Sequence, residues 1–142
     1  MVQIAPHRLW LGHAGEGEAF RRLFDLGIEA VVHLAAEEPP LALPRDLILC
    51  HFPLLDGIGN RPSTLSLAIE TTAALVRAGT PTLVCCGAGM SRSPAVAAAA
   101  LTLAFGGSPD AWLKSVAEHH PSDVSPGLWE EIRRILVTPR PA

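Results

Sequence analysis

One stretch, Thr82 to Phe105, limits what this chain can fold into more than any other: TLVCCGAGMSRSPAVAAAALTLAF. Behind Pro81, the apolar, β-branched run Thr82-Leu83-Val84-Cys85-Cys86 has the character of a buried central strand. Gly87 and Gly89 then permit backbone conformations or close approaches that a Cβ would oppose. Arg92-Ser93-Pro94 opens an apolar helix, with the proline in the first turn, where a missing N–H costs nothing. A strand, a tight loop and a helix N-terminus in that order make a concavity of backbone N–H groups with a partial positive charge behind it.

Such a loop holds an anion. Gly87, Ala88, Gly89, Met90, Ser91 and Arg92 are the expected phosphate-binding residues, with Arg92 closing the ring as a bidentate fork. The same field favours a thiolate at Cys86, since a free thiol pKa of about 8.5 falls to between roughly 3.5 and 7.5 in such surroundings. A thiolate beneath a bound phosphate is a nucleophile aimed at phosphorus.

The run Cys86-Gly87-Ala88-Gly89-Met90-Ser91-Arg92-Ser93 resembles the Cys-x5-Arg-Ser/Thr signature of the cysteine-dependent protein phosphatases, and most closely that of the small atypical dual-specificity branch. The resemblance implies that Cys86 forms a phosphocysteine, that Arg92 binds phosphate and the transition state, and that Ser93 assists departure of the thiolate. It extends over nearly the whole chain. Arg8 to Gly12 is similar to that family's first strand, Ile28 to Glu38 to its next strand and acidic turn, and Asp110 through Pro121 to Trp129 to its closing helices. Two positions depart from the pattern: Cys85 stands where the family usually has histidine, and His33 where it often has asparagine. In compensation, His33 is placed to donate a ring N–H to a loop carbonyl or to share a proton with the surroundings of Cys86.

Transfer to Cys86 expels an alkoxide or phenoxide, so an acid must protonate the leaving oxygen. Asp56 follows a strand and precedes Gly57-Ile58-Gly59, and its Pro53-Leu54-Leu55-Asp56 context resembles the family's acid loop. Asp123 is the alternative. Asp46 begins a strand, and Asp110 belongs to the first turn of a helix. Arg61 is a candidate for the rim, where it would attract a phosphorylated substrate.

The rest of the chain reads as one α/β domain over 1–142, a mostly parallel sheet flanked by helices. Strands are expected at Gln3 to Ala5, Arg8 to Leu11, Ile28 to Ala35 and Leu47 to Phe52, with a turn over Gly12 to Gly15. Helices are expected over Glu16 to Leu26, from Pro62 to Gly79, and from Ser108-Pro109 and Ser125-Pro126. With 49% hydrophobic and 18% charged residues the chain is not a disordered one, and a net charge of −3 gives no basic footprint for nucleic acid or an anionic membrane. No signal peptide or membrane span is expected. Three cysteines form neither a disulfide framework nor a zinc pattern, and a reducing cytoplasm suits a catalytic thiolate.

The expectation is a cytoplasmic, monomeric phosphatase that needs no metal or cofactor. It would act on phosphotyrosine or phosphoserine/threonine in proteins, or on a small phosphate ester. A lipid, nucleotide or glucan phosphate is the alternative substrate, and a phosphate-binding module without turnover the alternative function. Sulfur transfer and arsenate reduction use similar anion loops; the latter wants resolving cysteines, for which only Cys50 and Cys85 are available. Cys50 is also a candidate disulfide partner for Cys86, on the expectation that its strand lies next to strand 82–86.

Overall fold

Strand β5 (Thr82–Cys86) is buried at every residue because both of its neighbours are strands and both of its faces are covered. The computed structural model describes residues 1–17 and 19–138. In chain order the elements are β1 (Val2–Gln3), β2 (Leu9–His13), α1 (Ala14–Gly17), α2 (Phe20–Asp25), β3 (Ala30–Ala35), β4 (Ile48–Leu54), α3 (Pro62–Arg77), β5, α4 (Arg92–Phe105), α5 (Pro109–His119) and α6 (Pro126–Val137). The sheet runs β1-β2-β5-β3-β4, with β1 antiparallel to β2 and every other pair parallel. A mixed, mostly parallel sheet with helices on it is the α/β architecture the sequence implies.

The alternation of β5 divides the core. Val84 and Cys86 face the larger cluster, with Val32 and Leu34 of β3, Leu65 and Ile69 of α3, and Leu128 and Ile132 of α6. Leu83 and Cys85 face a smaller cluster with Trp10, Leu23, Ile28, Val31, Leu41 and Leu47. Cys85 and Cys86 therefore lie on opposite sides of the sheet, as period-two side-chain geometry requires. Helix α4 lies at the centre of the larger layer, packed against α3, α5 and α6 as well as the strands. Its run Ala95-Val96-Ala97-Ala98-Ala99-Ala100 is buried throughout, because small side chains let neighbouring backbones come close on several sides.

The N-terminal third departs most from the pattern reading. Gly12 and His13 continue β2 instead of turning, and the expected helix from Glu16 to Leu26 is two short pieces, α1 and α2, of which Leu23 is the fully buried anchor. Glu16 is drawn into holding the chain at this point: its carboxylate pairs with the amino group of Met1 and accepts the N–H of His13. Local polar capture of this kind outweighs helix propensity over a short window.

The later elements begin where prolines announce them. Pro62, Pro109 and Pro126 each occupy the first turn of a helix, and the Ser108 side chain caps α5 by accepting the N–H of Ala111. Among the described residues no helix is long and apolar enough to cross a membrane.

The strand order overturns one expectation. β3 lies between β4 and β5, with Cys50 in register with Val32 and Val32 with Val84. At about 4.8 Å per strand spacing, two spacings alone exceed the 4.4–6.8 Å Cα separation usual for a disulfide. Cys50 is not a partner for Cys86, and all three cysteines are free.

Candidate active site

β5 ends at Cys86, between the parallel strands β2 and β3, at the carboxyl edge where ligands of open α/β sheets sit. The chain then turns through 87–91 and enters α4 at Arg92. Gly89 makes the turn possible. It has φ of +77°, and a Cβ there would stand 2.8 Å from the carbonyl oxygen of Gly12, so the loop rests directly on the end of β2. From the other side His120, after α5, holds the loop by donating Nε2–H to the Gly89 carbonyl at 2.7 Å.

A cavity of about 180 Å³ opens over this loop, lined by Asp56, Cys86, Ala88, Met90, Ser91, Arg92 and Asp123. The fold thus collects the expected nucleophile and its cation, the expected acid and the alternative acid from three separate stretches of chain. Ser91 joins all three. Its hydroxyl donates to Asp56 Oδ1 at 2.6 Å and accepts the N–H of Ser125, which caps α6, at 2.9 Å. Asp123 is fixed through its backbone N–H, which donates to the Met90 carbonyl at 2.7 Å. Gly87 and Gly89 shape the loop without lining the cavity. Ser93 lies behind it, fully buried, with its hydroxyl making no hydrogen bond among the described residues. Arg61 is not among the residues that line this cavity; it lines another one with Pro53, Leu55 and Thr64.

Arg92 is only 4% exposed, and a buried guanidinium needs a counter-charge. It has one that pattern reading had not assigned. Glu37, just beyond β3, accepts from Nη1 at 2.5 Å and from Nη2 at 2.6 Å, while Nη1 also donates to the Leu54 carbonyl at 2.9 Å. This fork holds the Glu37 carboxyl at about 2, well below the usual carboxylate range, and raises Arg92 further above its already high value. Three of the five guanidinium N–H groups are so engaged. The remaining two, on Nε and Nη2, share one edge of the guanidinium plane. The carboxylate takes the end of the guanidinium and leaves its side for a bidentate ligand. An acid at the carboxyl end of a buried strand, where the ligand belongs, was the available signal for Glu37.

The two departures from the family pattern are neighbours in the structure. His33 is in register with Cys85 on one side and His51 on the other, and its ring lies 4.7 Å from that of His51. It is fully buried and neither ring nitrogen has a hydrogen-bond partner among the described residues, so the expected donation to a loop carbonyl is not made among them. Burial, then the proximity of His51 and Arg92, lowers its pKa, so the ring is held neutral. Burial likewise pushes the Cys85 thiol up to about 12.

The structure matches solved phosphatase structures along nearly its whole length. Human DUSP28 is 28% identical with a TM-score of 0.84, over 96% of this chain and 95% of that one. A human tyrosine phosphatase-like serine/threonine/tyrosine-interacting protein is 20% identical with a TM-score of 0.80, over 94% and 93%. A leucine rich repeat and phosphatase domain containing protein from Entamoeba histolytica reaches 0.76 at 14% identity, over 95% and 89%. By sequence, no family model and no curated protein matches the chain. The fold is that of the cysteine-dependent phosphatase superfamily. Within it, the chain resembles the small atypical dual-specificity members.

Proposed function

We propose that the protein is a metal-independent phosphatase whose single catalytic unit hydrolyses phosphate monoesters through a phosphocysteine at Cys86. The observation that carries this reading is the convergence of Cys86, Arg92 and Asp56 on one small cavity at the start of a buried helix. Phosphate oxygens would take the backbone N–H groups of 87–92 and the free side of the Arg92 guanidinium. The Cys86 thiolate then attacks phosphorus: the P–S bond forms, the ester P–O bond breaks, and Asp56 gives its proton to the departing oxygen. Ser91 occupies Asp56 Oδ1, leaving Oδ2 as the oxygen that carries the proton. In the second half Asp56 takes a proton from water as that water attacks phosphorus. The P–S bond breaks and Ser93, buried behind the loop, assists the thiolate's departure.

The substrates that fit best are phosphotyrosine and phosphoserine/threonine in proteins, in a reducing cytoplasm. Cavity walls that offer Arg92 as their one cationic side chain among the described residues, beside Asp56 and Asp123, suit a monoester better than a carrier of several phosphates. The test is turnover of a small aryl phosphate in EDTA by the wild type and by Cys86→Ser. Activity that survives chelation and vanishes in the variant supports the reading. Retention of turnover by the variant would remove Cys86 from the chemistry, and absence of turnover in the wild type would leave a phosphate-binding module.

A further inference from the structure

Asn60 stands outside the catalytic cavity and is only 8% exposed, yet every hydrogen bond its amide makes is to the loop that carries Asp56. Its Oδ1 accepts the Leu55 N–H at 2.8 Å, and its Nδ2 donates to the Leu55 carbonyl at 3.0 Å and to the Gly57 carbonyl at 3.2 Å. Those partners are the residues on either side of Asp56. The chain can double back on itself this way because Gly57 and Gly59 have φ of +148° and +95°. On its far side Asn60 lines a second cavity together with Pro62 and Leu65 of α3 and Glu131 of α6.

We infer that Asn60 is a positioning residue for the general acid, holding the 55–60 loop so that Asp56 already faces the leaving oxygen before substrate arrives. The inference rests on the phosphatase reading above and on Asp56 as its acid. The physical argument is one of satisfaction and entropy. Without the amide, one N–H and two carbonyls of this largely exposed loop lose their side-chain partner, and of these Leu55 O keeps only the Gly57 N–H at 3.1 Å. Two glycines then give the freed loop many alternative conformations. Asp56 keeps its Ser91 hydroxyl contact only while the loop delivers it there. The phosphate loop, by contrast, rests on Gly12 and is bonded by His120, and none of the Asn60 hydrogen bonds reaches it.

This separation gives the role a signature that loss of fold does not imitate. The experiment compares wild type, Asn60→Ala, Asp56→Asn and the double variant on p-nitrophenyl phosphate, whose leaving group needs little protonation, and on phenyl phosphate, whose leaving group needs more. Tungstate affinity is measured beside them as a report on the phosphate loop. Asn60→Ala is expected to lower kcat/KM for phenyl phosphate by about tenfold or more, to affect p-nitrophenyl phosphate much less, and to leave tungstate affinity unchanged. In the Asp56→Asn background the same substitution should cost nothing further, because the two act as one unit. Equal losses on the two esters, or full additivity with Asp56→Asn, would overturn the proposal. If Asn60→Ala does not fold, Asn60→Asp serves. It keeps the acceptor for Leu55 N–H, sets a carboxylate against two carbonyls, and must show the same leaving-group bias. A wild type that turns over neither ester sinks the phosphatase reading itself, an outcome read before any variant is compared.

Discussion

Arg92 and Glu37 meet end to end, both terminal guanidinium nitrogens on both carboxylate oxygens, at 2.5 and 2.6 Å. The pair fixes the end of the cation and leaves the side carrying Nε without a partner among the described residues. Glu37 is more than half exposed, at 57%, while Arg92 is buried, so the pair reaches from the protein interior to solvent.

Glu37→Gln should therefore weaken binding of tungstate or inorganic phosphate by several-fold, though Glu37 itself repels anions, because a loosely held fork loses its bidentate geometry. Tighter binding in the variant would mean that repulsion outweighs orientation. The pair also carries a pH dependence. With the folded value at about 2 against an ordinary 4.5, its contribution to stability is complete above pH 4.5 and is lost as pH falls toward 2. Solvent screening at the exposed carboxylate limits that contribution to about 1 kcal/mol or less. Acid titration of the melting temperature in wild type and Glu37→Gln should show the two curves converging in that window.

Two carboxylates line the cavity, and the hydrogen bond from Ser91 distinguishes them. Asp56→Asn should reduce turnover of poor leaving groups by roughly 10²-fold or more, with smaller loss on activated esters. Asp123→Asn should leave the dependence on leaving group as in the wild type. A Brønsted plot for each variant decides; steepening in Asp123→Asn alone would exchange the two assignments.

Burial raises the thiols of Cys85 and Cys50. Cys85 stands at about 12 and Cys50 is raised as well, so neither forms appreciable thiolate near neutrality. Iodoacetate at pH 6 to 7 should modify Cys86 alone in the folded protein, with Cys85 reacting only after denaturation. Peptide mapping by mass spectrometry checks this, and early labelling of Cys85 would show that the smaller face of the sheet opens.

His33 is buried neutral between Cys85 and His51, with Arg92 nearby opposing protonation and Glu37 favouring it. Because its folded pKa is depressed, the unfolded chain binds a proton that the native one refuses. Stability should be complete above about pH 6.5 and should decline as pH falls below it. His33→Asn, the residue more usual in the family, should remove that slope between pH 5 and 7 in thermal melts. An unchanged slope would move the titrating group elsewhere.

The contrast between β5 and its surroundings shows what one sequence can disclose. Thr82–Cys86 and the helix starts at Pro62, Pro109 and Pro126 were legible because the information is local: β-branching, a proline, a capping serine. The placement of Asp56 was legible from its loop and strand. The Glu37–Arg92 pair was not, since its partners lie far apart in the chain and are joined only by the return of β3 beside β5. The position of β3 between β4 and β5, which removes Cys50 from the reach of Cys86, has the same origin. Apolar runs say that strands are buried but not who sits beside whom.

Helix α4 begins at the cavity lined by Cys86 and Arg92, and its alanine-rich middle is enclosed by three helices and the sheet. Its buried part, Arg92–Leu101, has no free face, so this end of the helix cannot fray or reorient while its neighbours stay in place. The cavity at its N-terminus has no melting transition of its own, and heat should abolish oxyanion binding and the cooperative fold at one temperature. Robustness of this kind leaves regulation little purchase on Cys86 and Arg92 themselves, and concentrates whatever adjustability the protein has in the glycine-hinged loop between Leu55 and Asn60.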